Sequence, residues 1–269
     1  MKNVAGKNVL ITGGAAGIGK LMAQKFLQRD AQVVLWDLNE KAMEETRSEL
    51  SALGSVKAYQ VDLASPEAIR QAANLVKQEV GKIDVLINNA GIVVGKYFKD
   101  HTFSDITKTM EVNALAPMLV TLEFLPDMLD ADSGHICTIA SSAGIVSNPK
   151  MAVYAASKWA AVGWSDSLRL EMEQLNKKVQ VTTIMPYYIS TGMFAGVHSR
   201  LPILKPDYAA SVIVRAILKD KKMITIPAYI YYLTRISQGI FPLSWFDWIT
   251  GNIFGIYKTM DHFTGHQKK

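Results

Sequence analysis

Tyr154 and Lys158 stand four residues apart in a segment with helical spacing of its apolar residues, which places both side chains on one helix face. Ser141 lies upstream, just past a short apolar run that reads as a strand. A free tyrosine has a pKa of about 10 and is a poor base near neutrality. Because a nearby ammonium favours the phenolate, we expect Lys158 to lower the pKa of Tyr154 by roughly two to three pH units.

These three residues could transfer a proton. Tyr154 could take it from an alcohol as hydride leaves the carbon, or return it to a ketone, while the Ser141 hydroxyl holds the substrate oxygen. Simpler interpretations stay open, because this tyrosine–lysine spacing is common on helices and Ser141 with Ser142 could cap a turn.

A glycine-rich segment, TGGAAGIG, follows the first predicted strand. Gly13, Gly17 and Gly19 allow a tight turn and a close approach of the backbone to a pyrophosphate. The helix that starts beside Ile18 offers free N–H groups and the positive end of its dipole. The segment therefore predicts a dinucleotide site, although a plain strand-to-helix turn could have the same composition.

Two aspartates follow the next strands. Asp37 closes the second strand, where a carboxylate can accept both ribose hydroxyls of an adenosine and repel a 2′-phosphate. No basic residue occupies Ala16 or Leu38, so we expect NAD rather than NADP; the alternative is that Asp37 caps a helix. Asp62, followed by Leu63, could face the adenine or cap the next helix.

Short apolar runs alternate with amphipathic stretches along the chain. This alternation predicts an α/β fold, a single Rossmann-type doubly wound parallel sheet of about seven strands with helices on both faces and a C-terminal apolar extension. We expect one domain over 1–269, in which 187–269 supplies a substrate loop, the last strand and the apolar segment. The predicted strands are 8–12, 33–36, 56–60, 85–88, 135–139, 180–185 and 223–226, and the predicted helices 17–29, 40–53, 66–80, 114–128, 154–176 and 206–219.

Five motifs together resemble the short-chain dehydrogenase/reductase family over about residues 5–195. They are TGGAAGIG, the NNAG run of 88–91, EVNA with Asn113, IASSAG with Ser141, and YAASK with Tyr154 and Lys158. The resemblance implies a catalytic tetrad of Asn113, Ser141, Tyr154 and Lys158. In it Asn113 holds a water in a proton relay to Lys158, and Lys158 also binds the nicotinamide ribose.

The resemblance also implies that Asn89, Ala90 and Gly91 line the adenosine side of the cofactor. The composition of 88–91 could equally make a simple strand-end turn, and Asn113 could form a helix-bending hydrogen bond.

One stretch departs from the family pattern. The family usually has Pro-Gly after its sixth strand, whereas here Pro186 is followed by Tyr187 and Tyr188. Ile189 and Thr191 come next, and Thr191 keeps the position that contacts the nicotinamide carboxamide. Loss of the glycine removes a flexible backbone position, so the family pattern does not fix the loop path beside the nicotinamide, while catalysis is expected to be kept.

Several segments resemble the branch that holds the epidermal retinol dehydrogenases and the 17β-hydroxysteroid dehydrogenases of lipid droplets. They are VVLWDLNEKAMEET, ITKTMEVNALA, KWAAVGWSDSLRLE, KDKKMITIPAYI and MDHFTGHQKK. The resemblance implies a lipophilic alcohol or ketone, steroid-like or retinoid-like, as substrate. A reductase of small carbonyl or acyl-carrier substrates is the alternative enzyme, and a non-catalytic cofactor-sensing or lipid-surface protein is the alternative of another class.

The segment 223–257 has only two charged residues, Arg235 and Asp247, and many aromatic ones. It could be core or subunit interface, a lid over an apolar substrate, or a peripheral membrane contact, to which Lys258, Lys268 and Lys269 could add attraction for anionic headgroups. Small and aromatic residues on the helix over 153–175 predict, together with the family resemblance, a homodimer or tetramer.

The amino-acid composition narrows the class of protein further. With 49% hydrophobic and 20% charged residues the chain is not disordered, and 29 basic against 24 acidic residues give no sign of nucleic-acid binding. Cys137 is the only cysteine, which favours a reducing compartment. The five histidines are scattered, so we expect no metal. No signal peptide or uncharged apolar stretch of about 18 residues is recognisable, which predicts a cytoplasmic protein, with peripheral membrane contact as an option.

Overall fold

A computed structural model describes residues 3–265, so the predicted headgroup contacts of Lys268 and Lys269 lie outside the described residues. Seven strands form one parallel sheet in the order β3-β2-β1-β4-β5-β6-β7. The order reverses beside β1, which is where open α/β sheets bind ligands. The strands are β1 Asn8–Thr12, β2 Gln32–Asp37, β3 Val56–Gln60, β4 Val85–Asn88, β5 Gly134–Ile139, β6 Val179–Pro186 and β7 Met223–Ile226.

Helices cover both faces of the sheet. Successive side chains of a strand point to opposite faces, and accordingly Val9 and Ile11 belong to one buried apolar cluster while Leu10 belongs to the other. This confirms the predicted doubly wound fold. The helices are α1 Gly17–Leu27, α2 Glu40–Ser51, α3 Pro66–Glu79, α4 Phe103–Met110, α5 Ala116–Asp130, α6 Ala152–Gln174, α7 Pro206–Leu218, α8 Tyr229–Ile240 and α9 Leu243–Trp248.

Three helices, α4, α8 and α9, were not predicted. The N-terminus of α4 has a recognisable signal, a capping box in which Thr102 and Asp105 bond each other's backbone N–H groups. The segments of α8 and α9 are rich in aromatic residues, and the sequence predicted them only as part of one apolar segment. Both helices belong to the predicted C-terminal extension.

A π-helical turn, Glu111–Leu115, joins α4 to α5 without a break. Among residues 3–265, the resulting helix, Phe103–Asp130, passes a length and composition test for crossing a membrane, and 44% of its apolar window is buried inside the fold. The sequence expectation concerned uncharged stretches of about 18 residues; this helix contains none, because Glu111 and Glu123 interrupt it, and it passes because the test allows a few charged residues. Core helices of globular proteins pass the same test, and this one packs against α3 and α6.

Candidate active site

The glycine turn after β1 is as tight as its composition predicts. Gly13 and Gly17 have φ values of +64° and +55°, which L side chains rarely adopt. A Cβ on Gly19 would lie 2.1 Å from the Gly13 carbonyl oxygen, so this position admits no side chain. The first turn of α1 contains no acidic residue and Ala16 has no side-chain group to cap it. The turn therefore suits a pyrophosphate.

Asn89 braces this turn from β4. Its Nδ2 donates to the carbonyl oxygens of Thr12 at 2.9 Å and Gly13 at 3.0 Å. The backbone N–H groups of Asn89 and Ala90 both donate to Thr12 Oγ1. The NNAG run is therefore more than a strand-end turn, because it holds the backbone of the glycine turn in place.

Neither aspartate caps a helix. Asp37 accepts from the backbone N–H of Ala15 and of Asn39, each at 3.0 Å, and the N-cap of α2 is Asn39. Asp62 accepts from Ala64 N, and the N-cap of α3 is Ser65. The alternative interpretations of both as helix caps were wrong, and both line the cleft described next.

One cleft at the carboxyl edge of the sheet brings together all the predicted cofactor residues. Its space, counting the open mouth, amounts to about 1620 Å³. The sequence did not assign Ile92, Lys108, Val112 or Phe194 to the site, although they also line it; Lys108 and Val112 fall in the ITKTMEVNALA segment, whereas Ile92 and Phe194 belong to no motif. The predicted residues that line it are Gly13, Gly17, Ile18, Gly19, Asp37, Asp62, Leu63, Asn89, Ala90, Gly91, Tyr154, Lys158, Pro186, Ile189 and Thr191.

Ser141 follows β5 and belongs to two spaces at once, the nucleotide cleft and a neighbouring apolar cavity. Its Oγ accepts from Ala143 N at 3.1 Å, so Ser141 does cap the short turn Ser142–Gly144, as the simpler interpretation held. This bond uses a lone pair, so the hydroxyl hydrogen remains available for a donated bond, which in this structure goes to Tyr154.

Lys158 lies one turn after Tyr154 on α6. Its Nζ donates to the carbonyl oxygen of Ile139 at 2.9 Å and lies 5.8 Å from the centroid of the Tyr154 ring. Burial lowers the pKa of Lys158 to about 8, because a low dielectric disfavours its charged form.

The expected lowering of the Tyr154 pKa was wrong for this structure. Burial raises the pKa of Tyr154, and a hydrogen bond from Ser141 offsets only part of that effect. The physical reason is that desolvation of the phenolate outweighs its partners, since the Lys158 ammonium is directed at Ile139 and not at the phenol.

Asn113 sits in the π turn and is buried behind the cleft. Its Oδ1 accepts from Ile92 N at 2.8 Å, and its Nδ2 donates to Ile92 O at 2.9 Å and to Ser157 Oγ at 3.1 Å. The partners of the Asn113 side chain, Ile92 and Ser157, lie outside the helix that contains Asn113, so these are not helix-bending bonds within that helix. Its side chain is thus committed to protein partners.

The loop after β6 begins with Tyr187 and Tyr188, where the family usually has a glycine. Tyr187 N donates to Ile226 O, which extends the sheet pairing, and the Tyr187 and Tyr188 rings pack edge to face. Thr191 lies beside the glycine turn. A Cβ added to Gly17 would be 3.6 Å from the Thr191 side-chain carbons Cβ and Cγ2. The side chains of Tyr187 and Tyr188 are both buried in this loop.

The apolar cavity lies between the 141–151 segment, the loop after β6, and the α8–α9 region. Its space, counting the open mouth, amounts to about 880 Å³. It meets the nucleotide cleft at Ser141, Tyr187 and Phe194. Within the described part of the chain its lining includes no charged side chain: Ser141, Ser142, Ala143, Val146, Asn148, Met151, Tyr187, Tyr188, Phe194, Leu201, Tyr229, Ile230, Leu233, Thr234, Ser237, Phe246, Ile249, Thr250, Phe254 and Ile256.

A doubly wound parallel sheet with a glycine turn at its switch point defines a dinucleotide-binding oxidoreductase of Rossmann type. A family model described as short chain dehydrogenase matches residues 7–201. The chain belongs to the short-chain dehydrogenase/reductase family and is a nicotinamide-dependent oxidoreductase, which confirms the resemblance drawn from its motifs.

Its relatives lie in the predicted branch. The chain is 39% identical to human epidermal retinol dehydrogenase 2, over 100% of this chain and 88% of that one. It is 38% identical to human 17-beta-hydroxysteroid dehydrogenase 13, over 88% and 80% of the two chains.

Two solved structures share the fold. A Burkholderia phymatum short-chain dehydrogenase/reductase in complex with NAD superposes with a TM-score of 0.82 at 24% identity, over 89% of this chain and 95% of that one. A metagenomic short-chain oxidoreductase in complex with NADP superposes with a TM-score of 0.71 at 29% identity, over 82% of this chain and 95% of that one.

Proposed function

We propose that the protein interconverts a lipophilic alcohol and its carbonyl with NAD(H), with Tyr154 as the acid/base. The observation that carries this proposal is the position of Ser141, which borders both the nucleotide cleft and the apolar cavity. A substrate oxygen at that junction has the cofactor on one side and the apolar body of the substrate on the other. Tyr154 lines the same cleft.

Each residue has one task in the reaction. The Ser141 Oγ accepts from Ala143, and its hydroxyl hydrogen, directed at the Tyr154 phenol in this structure, can be donated to the substrate oxygen when substrate binds. Tyr154 then takes the alcohol proton or returns it to the ketone. The nicotinamide, when bound, supplies the hydride acceptor or donor.

Lys158 orients the site and adds charge. An ammonium has three donors, and Ile139 O takes one, which leaves two for the ribose hydroxyls and the relay behind Asn113. With a pKa of about 8, Lys158 is charged at neutral pH and can favour the phenolate of Tyr154 once cofactor and substrate are bound.

NAD is the proposed cofactor. The Asp37 carboxylate lines the cleft and carries negative charge where a 2′-phosphate would lie. Lys108 is the cation that lines the cleft from α4 within the described chain, but it belongs to a different element from the Asp37 turn. Titration of both oxidised cofactors should give tighter binding of NAD⁺, and Asp37→Ser should narrow the gap. Tighter binding of NADP⁺ to the unaltered protein contradicts this assignment.

The apolar lining favours a lipophilic substrate over a small carbonyl or an acyl carrier, since the latter would gain from charged or polar partners in the wall. A screen of steroid, retinoid and fatty alcohols with NAD⁺, followed at the NADH absorbance band, tests the substrate class. Turnover of small polar carbonyls alone would favour the alternative enzyme.

Tyr154→Phe separates an enzyme from a cofactor sensor. We expect turnover to fall by roughly 10²–10⁴-fold because general acid–base transfer is lost, while NADH binding is kept. Tyr208→Phe, the same change at an exposed position on α7, is the matched control and should leave turnover unchanged. Equal activity of Tyr154→Phe and the unaltered protein would refute the proposed role of Tyr154.

We further propose that the protein is cytoplasmic and touches a membrane peripherally through α8 and α9. Their outward residues are large, apolar and aromatic, and tryptophan and tyrosine suit a membrane–water interface. Flotation with liposomes should recover the unaltered protein but not a Leu243→Ser/Trp245→Ser variant, whereas Leu122→Ser on α5 should still float. The exposed residues are Tyr232, Leu233, Ile236, Ile240, Leu243, Trp245 and Trp248.

Exposed apolar residues on α5 and α6, namely Leu122, Trp159 and Leu170, support the proposed homodimer or tetramer. Light scattering at micromolar concentration should give a mass at least twice that of the chain, and a monomeric mass contradicts the assembly.

A further inference from the structure

Thr46 is a buried threonine in the middle of α2, with 2% of its surface exposed. Its Oγ1 donates to the carbonyl oxygen of Ala15 at 2.7 Å, across 31 positions of the sequence. A threonine hydroxyl inside a helix commonly donates its one hydrogen to the carbonyl one turn back in the same helix. Thr46 instead donates to the glycine turn after β1, so the bond ties α2 to that turn.

Ala15 is held at both of its polar backbone atoms. Its carbonyl accepts from Thr46, and its N–H donates to Asp37 Oδ2 at 3.0 Å. The other carboxylate oxygen of Asp37 accepts from Asn39 N, also at 3.0 Å. Each oxygen keeps a lone pair for a ribose hydroxyl. The direction of the Asp37 carboxylate therefore depends on the place of Ala15, which the bond from Thr46 fixes.

The same bond sets the direction of the next N–H group along the chain. The C=O and N–H of a trans peptide point in opposite directions. Because the Ala15 carbonyl is directed at Thr46, the N–H of Ala16 points away from Thr46, and Ala16 lines the nucleotide cleft. An N–H group at the start of α1 is the kind of donor that binds a ribose or phosphate oxygen.

We propose that Thr46 is a positioning residue for the adenosine half of the cofactor, and that through Ala15 it sets how strongly the cleft discriminates NAD from NADP. The inference rests on the proposed function, in which the Asp37 carboxylate lies where a 2′-phosphate would be. Without the Thr46 hydroxyl the Ala15 peptide can rotate, and Asp37 then loses a fixed partner. Its charge is placed less well both to accept from ribose hydroxyls and to repel a 2′-phosphate.

Thr46→Val tests this role, because it removes the hydroxyl at nearly the same volume. A methyl group cannot approach an oxygen as closely as 2.7 Å, so the Ala15 carbonyl must move. Titrations with NADH, ADP-ribose and NADPH measure the effect without turnover. NADH and ADP-ribose should lose affinity together, by about three- to tenfold, since they share the adenosine half. NADPH should lose less, so the ratio of the NADPH to the NADH dissociation constant should fall.

Two variants separate this role from a contribution to stability alone. Thr46→Ser keeps the hydroxyl and should keep the ratio of the unaltered protein. Thr182→Val is the matched control: Thr182 is a buried threonine of β6 whose Oγ1 donates to the Lys221 carbonyl, in the turn before β7 at the amino end of the sheet. It should leave all three dissociation constants unchanged, even where urea unfolding shows both valine variants to be less stable.

An unchanged ratio in Thr46→Val overturns the proposal, as does a loss of NADH affinity that Thr46→Ser shares. Should Thr46→Val not fold, Thr46→Ala removes the same hydroxyl, and its ratio decides. Tighter binding of NADPH than of NADH by the unaltered protein would refute the proposed cofactor, whereas a ratio that Thr46→Val still alters would uphold the role of Thr46.

Discussion

The nucleotide cleft and the apolar cavity share Ser141 but are built from different parts of the backbone and side chains. The cleft is shaped mainly by main chain: glycines with positive φ, and N–H groups and carbonyls braced by Asn89. The cavity is shaped by side chains from distant segments, and part of its wall, on α8, is exposed on its outer side, with Tyr232 64% accessible. The nucleotide cleft, which is formed by main chain, cannot accept an added side-chain atom at its glycine turn. The shape of the apolar cavity, which is formed by side chains, can be changed by substituting them.

The largest expected effect is on the backbone site. Gly19→Ala would place a Cβ 2.1 Å from the Gly13 carbonyl oxygen, so the turn must move and NADH binding should be lost. Fluorescence titration with NADH measures this. Gly163→Ala on α6 is the matched control, because a Cβ there meets no atom within 4 Å, and it should keep NADH binding. Retained affinity in Gly19→Ala would refute the claim that the backbone shapes the cleft.

A smaller, selective effect is expected in the cavity. Phe246 on α9 is buried against it, and Phe246→Ala removes apolar surface without touching the nucleotide cleft. We expect KM for the best alcohol of the screen to rise about tenfold or more, since the lost contact is worth roughly 1.5–3 kcal/mol. The dissociation constant of NADH should not change. A parallel loss of NADH binding would show that the two regions are not separable.

The smallest effect concerns the amino end of strand β5, which is the end of the sheet opposite both sites. His135 is buried on β5, its Nδ1 lies 3.4 Å from Asp220 Oδ1, and burial lowers its pKa because the charged form is desolvated. The unfolded chain therefore binds a proton first as pH falls below about 6.5, so stability is lost downward from that pH toward the lower folded pKa.

Urea unfolding at pH 7.5 and 5.5 should show this loss, at up to about 1.4 kcal/mol per pH unit from this one group. His135→Asn should show a shallower loss over the same range, while NADH binding at pH 7.5 stays unchanged. Equal pH slopes for the two proteins would assign the loss to other groups.

Much of the nucleotide half could be predicted because its signals are local. The bounds of β1, β3, β4 and β7 agree with the predicted strands, since short apolar runs end at turn residues. Gly13, Gly17 and Asp37 stood out by type and position. Helix α8 was missed because its apolar residues are not confined to one inward stripe: Ile236 and Ile240 face outward.

The sequence by itself determined the turn and the strands, because glycine geometry and apolar period are properties of neighbouring residues, and it pointed to Ser141, Tyr154 and Lys158 as the candidate reactive residues. Only the tertiary structure decided the direction of the Tyr154 pKa, the partners of the Asn113 side chain and the bond from Thr46 to Ala15. Burial and hydrogen bonds between residues as distant in sequence as Thr46 and Ala15 depend on how the chain packs, and no local pattern encodes them.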